Sequence, residues 1–364
     1  WWIRETARLS GAQIVEPCRV KDFEVFKTHV EVVCKYKNEE KRFKARALIG
    51  ADGSSSTVAR LLSGTKHSSK NRMLAVRAYF DNMEGPCQRA DVYYASNSFP
   101  GYYWLFPTGK ATANIGIGIV KETFPENQMH LDELLKDTIE KDPALRCRVG
   151  KAVLRGKIAG WPLSTFDPDM QLVADRVLLT GDAAGLINSL NGEGIQTALS
   201  SGRWAANTLT KSDLDAYRLT VDREIGCDMM LSQVVIECIR NRTLNPVWLQ
   251  LMSTISSRAL ANPKYAGVAG GVLSGIVPAK EVLNPAFVAE TMMQIGASGS
   301  LYCADTFFGG PQAWQKSMQS ITQLSLNLVQ HGMQSPLDYM NWMQGISLNG
   351  FEFSQRLWNN YFKK

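Results

Sequence analysis

A glycine-rich stretch, GDAAGLINSLNGEGIQ at residues 181–196, contains two carboxylates and no basic side chain. It follows the apolar run 177–179, which predicts a buried strand, so Asp182 should lie at the carboxyl edge of a sheet, where α/β proteins bind ligands. Glycines let backbone N–H groups approach a ligand, and a helix predicted from about Gly194 directs its positive end into the same crevice. This chemistry suits hydrogen bonds from sugar or ribityl hydroxyls to Asp182. A turn capped by Asp182 is the purely structural alternative.

A second stretch, GYYWLFPTGKATANIGIGI at residues 101–119, is aromatic. Tyr102, Trp104 and Phe106 alternate along a predicted strand and therefore project to one face. Such a row offers a large apolar area with few hydrogen-bonding groups, which suits a long apolar ligand. The core face of a sheet has the same alternation and remains the alternative.

The segments that must position these residues differ in their pattern of predicted strands and helices. Residues 1–65 and 152–210 alternate short strands with helices, residues 66–151 contain mostly strands, and residues 211–364 have a helical pattern. The sequence therefore predicts an α/β fold, in which a discontinuous Rossmann-like domain carries an inserted antiparallel substrate sheet and is followed by a helical region. Local predictions include strands at 12–16, 19–25 and 43–50, a helix at 128–142, and loops near 261–278 and 308–312.

Composition excludes several classes of function. The net charge of +6 is too dispersed for nucleic-acid binding. Seven cysteines without a C-x-x-C pair and four scattered histidines predict no metal site and fit reduced thiols in the cytoplasm. The best candidate membrane span, residues 265–279, is too short and too broken by glycine. Aromatic residues between 314 and 362 could contact a membrane surface, although helix packing is the favoured alternative.

The segment VLLTGDAAGLINSLNGEGIQTALSSG at 177–202 resembles the second FAD fingerprint of the p-hydroxybenzoate-hydroxylase-like flavoproteins. The resemblance implies that Asp182 binds the ribityl chain and that the later glycines and the helix start face the isoalloxazine. Ser189 replaces a proline that is frequent in the family. The cofactor-binding residues implied by this segment are Gly181, Asp182, Ala183, Gly192, Glu193, Gly194 and Ile195, with helix capping as an alternative role for Glu193.

The segment LIGADGSSSTVAR at 48–60 resembles the Asp-Gly motif of the same superfamily. It implies that Asp52 and Gly53 lie near the flavin diphosphate or the approach of a pyridine nucleotide, and that Val20 touches adenine. The Ala59-Arg60 arrangement is similar to that of the geranylgeranyl reductase branch.

A third fingerprint, a strand followed by G-x-G-x-x-G, has no counterpart, because GVAGGV at 267–272 has the wrong spacing. There is also no initiator Met. We therefore expect the first βαβ unit of such a domain to be missing from this chain. We also expect weak FAD binding by the chain alone, since the pyrophosphate would lack its helix N-terminus.

The aromatic stretch resembles the Y-x-W-x-F-P signature of geranylgeranyl reductases, followed by their N-x-G-x-G strand. The resemblance implies an FAD-dependent oxidoreductase that reduces C=C bonds of a prenyl lipid, with NADPH or ferredoxin as electron donor and peripheral membrane contact. The substrate-binding residues that it implies are Tyr102, Trp104, Phe106 and Pro107, and it assigns no catalytic residue. A flavin-dependent monooxygenase or halogenase is one alternative, and a non-catalytic lipid-binding or partner-binding remnant is another.

Overall fold

The computed structural model describes residues 2–63, 71–95, 97–123, 130–211, 213–240, 245–278 and, with gaps at 283, 285, 288 and 292, residues 281–293. The chain divides into two compact units. The first unit comprises Trp1–His67, Asp169–Leu186 and Ile195–Val221, and the second comprises Ser68–Pro168, Ile187–Gly194 and Asp222–Lys364. The predicted loop near 308–312 and the aromatic residues between 314 and 362 lie outside the described residues.

The helices and strands follow one another in mixed α/β order. In chain order they are α1 (Trp2–Leu9), β1 (Cys18–Val25), β2 (Val30–Tyr36), β3 (Glu39–Ala45), β4 (Leu48–Gly50), α2 (Thr57–Ser63), β5 (Arg72–Asp81), β6 (Asp91–Tyr93), β7 (Tyr102–Gly109), β8 (Thr112–Val120), α3 (Leu131–Lys141), α4 (Pro143–Val149), β9 (Val153–Ser164), β10 (Val173–Ala174), β11 (Val177–Leu179), α5 (Ile195–Lys211), α6 (Asp215–Val221), α7 (Cys227–Ile239), α8 (Asn245–Ala261) and α9 (Pro263–Leu273).

The first unit contains two small sheets. Strands β1, β2 and β3 form an antiparallel sheet, and β10, β11 and β4 form a second sheet in that order. Within the second sheet, β4 and β11 are parallel, with Gly50 opposite Leu179. No larger residue fits at position 50, because an added Cβ would lie 2.7 Å from the Leu179 side chain. The carboxyl ends of β4 and β11 therefore meet at one edge of this sheet.

The second unit is built on a five-stranded antiparallel sheet with the order β6-β7-β8-β5-β9. Helices α3 and α4 cover one face of this sheet, and their buried apolar side chains pack against those of the strands. The fully buried members of this core are Ala78, Tyr103, Leu105, Ala113, Ile115, Ile117, Ile119, Leu135 and Leu145. Burying an aliphatic side chain of this size contributes about 1.5–3 kcal/mol, so this face carries most of the apolar stabilisation of the sheet.

Helix α4 is fixed at both ends. The Asp142 carboxylate accepts hydrogen bonds from the backbone N–H groups of Ala144 and Leu145 and so caps the helix start. Near the helix end, the buried Arg148 guanidinium forms a 2.7 Å ion pair with Asp91 on β6. Burial alone would raise the pKa of Asp91, but hydrogen bonds from Arg148 and Arg89 outweigh it and lower that pKa. The ion pair ties α4 to the sheet that it covers.

Several local predictions differ from the structure. Residues 12–16 form no strand, and residues 43–50 contain the end of β3 and a separate β4 instead of one strand. The expected loop near 261–278 contains α9, which begins after a side-chain cap by Asn262 and Pro263 at its first turn. The many glycines of α9 obscured it, because glycine lowers helix propensity.

The helix predicted at 128–142 was incomplete, since α4 follows α3 directly. Strand β9 (Val153–Ser164), which the sequence grouped with the Rossmann-like pieces, pairs with β5 along its length. The predicted domain boundaries remain predictions. Within the described residues, no helix is both long and apolar enough to cross a bilayer.

Candidate functional site

Asp182 lies in the first unit, directly after β11 and at the start of a short 3-10 turn. Its half-buried carboxylate accepts a 3.0 Å hydrogen bond from the Ser54 hydroxyl, which follows β4. The parallel pairing of β4 and β11 thus brings the two predicted motifs, residues 48–60 and 177–202, to the same sheet edge. This placement agrees with the edge position expected for Asp182.

The turn around Asp182 requires its glycines. Gly181 has a φ of +55° and stands so close to α5 that an added Cβ would lie 2.9 Å from Cβ of Ala198. Its N–H donates to the Ser201 hydroxyl at 3.0 Å. The neighbouring Ala183 is fully buried. Gly181 therefore allows the strand to turn sharply against the helix.

Asp52 caps α2. One of its carboxylate oxygens accepts from the Ser56 hydroxyl, and the other accepts from the backbone N–H groups of Thr57 and Val58 at 2.7 and 3.2 Å. Gly53 has a φ of +80°, and an added Cβ would meet no atom within 4 Å. Gly53 therefore presents an open stretch of backbone, whereas Asp52 organises the helix behind it.

Val20 and Ile195 are the remaining predicted residues of the first unit. Val20 is half-buried on β1, where it pairs with Cys34 on β2. Ile195 is the first residue of α5 and is 79% exposed, an unusual position for a large aliphatic side chain. Contact of either residue with a cofactor stays a prediction.

In the second unit, residues 188–194 form a tight turn that we call the glycine loop. The Asn188 side-chain oxygen accepts from the backbone N–H of Leu190 at 2.8 Å, and that of Asn191 accepts from the N–H of Glu193 at 2.9 Å. Gly192 has a φ of +70°, which favours glycine. Sequence reasoning missed both asparagines, although asparagine beside glycine is typical of such turns.

Side chains of the C-terminal helices hold this glycine loop from behind. The Asn188 amide donates to the Ser232 hydroxyl on α7 at 3.0 Å, and the Asn191 amide donates to the Val272 carbonyl at the end of α9 at 3.3 Å. Ser189, which replaces the family's frequent proline, donates to the Gln233 side chain at 3.4 Å. The helices therefore act as the support of the loop.

Tyr102 connects the glycine loop to the five-stranded sheet. Its hydroxyl donates a hydrogen bond to the Asn191 carbonyl. An added Cβ at Gly192 would lie 3.9 Å from the same hydroxyl. Burial raises the pKa of Tyr102 to about 12, so the phenol stays protonated near neutral pH and keeps donating. The first aromatic residue of β7 is thus fixed beside the loop.

Tyr102, Trp104 and Phe106 share the face of the sheet that α3 and α4 leave uncovered, which we call the open face. Successive ring centroids along this aromatic row are 6.0 and 6.2 Å apart. Tyr103 and Leu105, which alternate with them, point into the core and are 0% and 1% exposed. The predicted shared face is therefore confirmed, and it is not the core face. Pro107 follows on β7, where the pairing with β8 becomes irregular.

Strand β8 is shaped to hold the Trp104 indole. Trp104 Nε1 donates to the Asn114 side-chain oxygen at 2.8 Å. The ring then lies across Gly116, where an added Cβ would come within 2.2 Å of Trp104 Cζ2. A Cβ added at Gly118 would lie 3.7 Å from the same ring. The N-x-G-x-G pattern thus has a physical reason, and it identifies Asn114 and Gly116 as site residues that the sequence interpretation did not name.

Comparisons with known proteins agree with this geometry. Residues 73–152 match the family model described as geranylgeranyl reductase catalytic domain. The digeranylgeranylglycerophospholipid reductase 2 of Methanosphaera stadtmanae is 31% identical over 196 residues, which are 50% of this chain and 47% of that protein. The geranylgeranyl diphosphate reductase of Rhodobacter capsulatus is 32% identical over 216 residues, 56% of this chain and 50% of that protein. The chain thus spans about half the length of these curated relatives.

A solved structure supports the fold. The geranylgeranyl bacteriochlorophyll reductase-like protein of Thermoplasma acidophilum superposes with a TM-score of 0.59 at 24% identity, covering 66% of this chain and 62% of that one. Among the described residues, no group of three or more His, Cys, Asp or Glu side chains could hold a metal ion. The matched segment contains both the aromatic row and the β8 strand that orients it, so residues 73–152 are similar to the geranylgeranyl reductase catalytic domain.

Proposed function

We propose that this chain functions as an FAD-dependent oxidoreductase that reduces carbon–carbon double bonds of a prenyl lipid. The observation that carries the proposal is the aromatic row on the open face of the sheet, because its three rings form a continuous apolar surface outside the core. Such a surface suits a ligand with a long hydrocarbon chain and few polar groups. The relatives named above act on geranylgeranyl compounds according to their names, which is consistent with this substrate class.

FAD is the cofactor that we propose, and the residues present fit it. Asp182 accepts one hydrogen bond from Ser54, and a carboxylate can accept several, so it can also receive ribityl hydroxyls. The open backbone at Gly53 allows close approach of a ligand. The chemistry that bound, reduced FAD supplies is hydride transfer to an alkene carbon. The residues proposed to hold it are Val20, Asp52, Gly53, Gly181, Asp182, Ala183, Gly192, Glu193, Gly194 and Ile195.

The chain's own contribution is orientation and exclusion of water. Trp104 is held by Asn114, and Tyr102 is held by the Asn191 carbonyl, so both rings are set before a ligand arrives. The high pKa of Tyr102 keeps a negative charge away from the bound hydrocarbon. Preset aromatic groups bind a flexible chain with less loss of side-chain entropy.

The proposal also includes the supply of electrons and contact with a membrane. We propose NADPH or ferredoxin as the electron donor, and peripheral contact with a membrane as the route to a lipid substrate. The net charge of +6 favours an anionic lipid surface. Co-sedimentation with anionic vesicles, compared with neutral ones, measures this contact directly.

The test uses the full chain with saturating FAD, a chemical or enzymatic reductant, and geranylgeranyl diphosphate. We expect products with saturated bonds by mass spectrometry. Trp104→Ala should lower kcat/KM about tenfold, because a large apolar contact is lost, and should weaken binding of geranylgeraniol by a similar factor. Trp2→Ala is the matched control, since Trp2 is 72% exposed on α1.

Other products distinguish the alternatives. A hydroxylated or halogenated product that requires oxygen would indicate a monooxygenase or halogenase. Tight prenyl binding without any turnover, in chain shown spectroscopically to contain flavin, would indicate a lipid-binding protein. Either result contradicts the proposed reduction.

A further inference from the structure

The open face continues beyond the aromatic row as a strip of small residues, Gly118 and Ala75, which we call the channel. Strand pairing places Tyr102, Gly118, Ala75 and Trp161 in one row across β7, β8, β5 and β9. The next row contains Trp104, Gly116, Arg77 and Ala159. The floor of the channel is therefore Gly118 and Ala75, with Trp161 at one side, and the next row bounds it, because the Trp104 indole covers Gly116 and Arg77 follows. Trp161 is 64% exposed, which is high for a tryptophan.

A cationic cluster lies at one end of this channel. The Arg77 guanidinium is 4.8 Å from the ring centroid of Tyr79, and the Arg155 guanidinium is 5.3 Å from the same centroid. Arg155 forms a 3.3 Å ion pair with Asp81. Arg77 has no carboxylate partner in the part of the chain that the structure describes. The two arginines and one aspartate leave this cluster with a net positive charge.

The position of Arg77 is informative. It lies on β5, an interior strand of the sheet, and its neighbours across the open face are glycine and alanine. A guanidinium presents N–H donors in a planar fork that matches phosphate oxygens, and stacking on Tyr79 holds that fork in one orientation. An exposed, oriented guanidinium at the end of an apolar channel is complementary to an amphipathic anion.

We propose that this channel binds the phosphate-bearing end of the prenyl substrate, with Arg77 as the phosphate anchor and Arg155 as its neighbour. This inference rests on the proposed function and adds the chemistry of the head group to it. The hydrocarbon chain runs over the alanine and glycine floor between Trp104 and Trp161 towards Tyr102. The row that contains Arg77 and the row that contains Tyr102 are two residues apart, or about 7 Å along the strand. Arg77 is thus a specificity-determining residue for phosphorylated prenyl compounds.

The test measures equilibrium binding to the full chain by calorimetry, with geranylgeranyl diphosphate, geranylgeraniol and inorganic diphosphate as probes. The wild-type chain should bind the diphosphate ester about tenfold more tightly than the alcohol, as expected for a charge-assisted contact. Arg77→Gln should remove about tenfold of affinity for the ester and leave the alcohol unchanged. Arg77→Lys keeps the charge and should retain part of the preference.

Arg146→Gln is the matched control, because Arg146 is exposed on α4, which covers the opposite face of the same sheet. It removes the same charge and should change neither affinity. Equal losses in Arg77→Gln and Arg146→Gln would overturn the proposal, since general electrostatics would then explain them. Circular dichroism melts of each variant check that it is folded. If Arg77→Gln does not fold, Arg77→Lys is used instead. A ratio of ester to alcohol affinity equal to that of the wild-type chain, together with no detectable binding of inorganic diphosphate, would then overturn the assignment of Arg77 as the phosphate anchor.

Two further comparisons distinguish the possible sources of the phosphate, and distinguish failure of the phosphate anchor from failure of the prenyl-binding surface. Vesicles that contain a digeranylgeranyl glycerophospholipid are compared with free geranylgeranyl diphosphate, and whichever depends on Arg77 identifies the natural head group. If the wild-type chain binds ester and alcohol equally, the anchor is wrong while the prenyl surface stands. If it binds neither, the proposed function fails as well.

Discussion

The two faces of the five-stranded sheet differ although the same strands build both. On the core face, Tyr103, Leu105, Ile115 and Ile117 are at most 1% exposed and pack under α3 and α4. On the open face, the residues between them are aromatic on β7 and small on β8, and the described part of the chain contains no helix packed over them in the way that α3 and α4 pack below. The core face therefore stabilises the fold, and the open face presents an apolar surface that a ligand can contact.

The difference also appears in how polar groups are used. On the core side, the Thr138 hydroxyl donates to the buried Tyr103 oxygen at 2.7 Å, so the polar end of a core residue is satisfied inside the structure. On the open side, hydrogen bonds orient rings: Asn114 holds Trp104, and the Asn191 carbonyl holds Tyr102. A buried polar group must be paired to avoid a desolvation cost, whereas these open-face bonds fix the direction of a ring.

The largest expected effect separates the two faces with adjacent residues. Leu105→Ala should lower the free energy of unfolding by about 2–5 kcal/mol, because it leaves a cavity in a closed core. Phe106→Ala should lower it by less than about 1 kcal/mol, since Phe106 is 39% exposed, yet it should weaken prenyl binding. Urea denaturation and geranylgeraniol titration measure the two quantities. Equal stability losses in both variants would show that the open face is also structural.

A smaller effect is expected from a matched pair of glycines on β8. Gly116→Ala should cost about 1–3 kcal/mol, because the new methyl group meets the Trp104 ring and the Val76 carbonyl oxygen, the latter at 2.5 Å. Gly118→Ala introduces the same methyl group at 3.7 Å from Trp104, an ordinary contact, and should change stability little. Thermal melts compare the two.

The binding of geranylgeraniol should follow the same order. Displacement of the Trp104 indole in Gly116→Ala should weaken binding, whereas Gly118→Ala should leave it close to that of the wild-type chain. If Gly118→Ala were the more damaging change, the indole would not lie where the hydrogen bond to Asn114 puts it.

These differences between the two faces explain which parts of the site could be predicted from the sequence. The alternation in β7 predicted that Tyr102, Trp104 and Phe106 share a face, because side chains alternate in every strand. Alternation alone could not say which face was the core, since that depends on where the residues of α3 and α4 pack. The sequence predicted the edge position of Asp182 because the residues that directly follow a buried apolar strand must lie at the edge of the sheet where that strand ends.

Other parts depended on contacts distant in sequence. Asn191 meets Val272, 81 residues away, and Tyr102, 89 residues away, and no local pattern encodes such pairs. The cationic cluster joins Arg77 to Arg155 through the register of β5 and β9, which is irregular between Arg77 and Tyr79. Helix α9 was missed because its glycines lower local propensity, and its Asn262 cap and its packing compensate.

The smallest expected effect tests whether a single hydrogen bond sets the open face. Asn114→Leu removes the acceptor of Trp104 Nε1 and should cost about 1 kcal/mol, while Asn114→Asp keeps an acceptor oxygen of the same geometry. Steady-state anisotropy of Trp104, obtained as the difference from Trp104→Phe in each background, should fall in the leucine variant alone. Geranylgeraniol affinity should fall only a few-fold, because the ring keeps its area and loses only its orientation. Unchanged anisotropy in Asn114→Leu would mean that Gly116 and the neighbouring rings hold the indole without Asn114, so that shape and not hydrogen bonding distinguishes this face from the core.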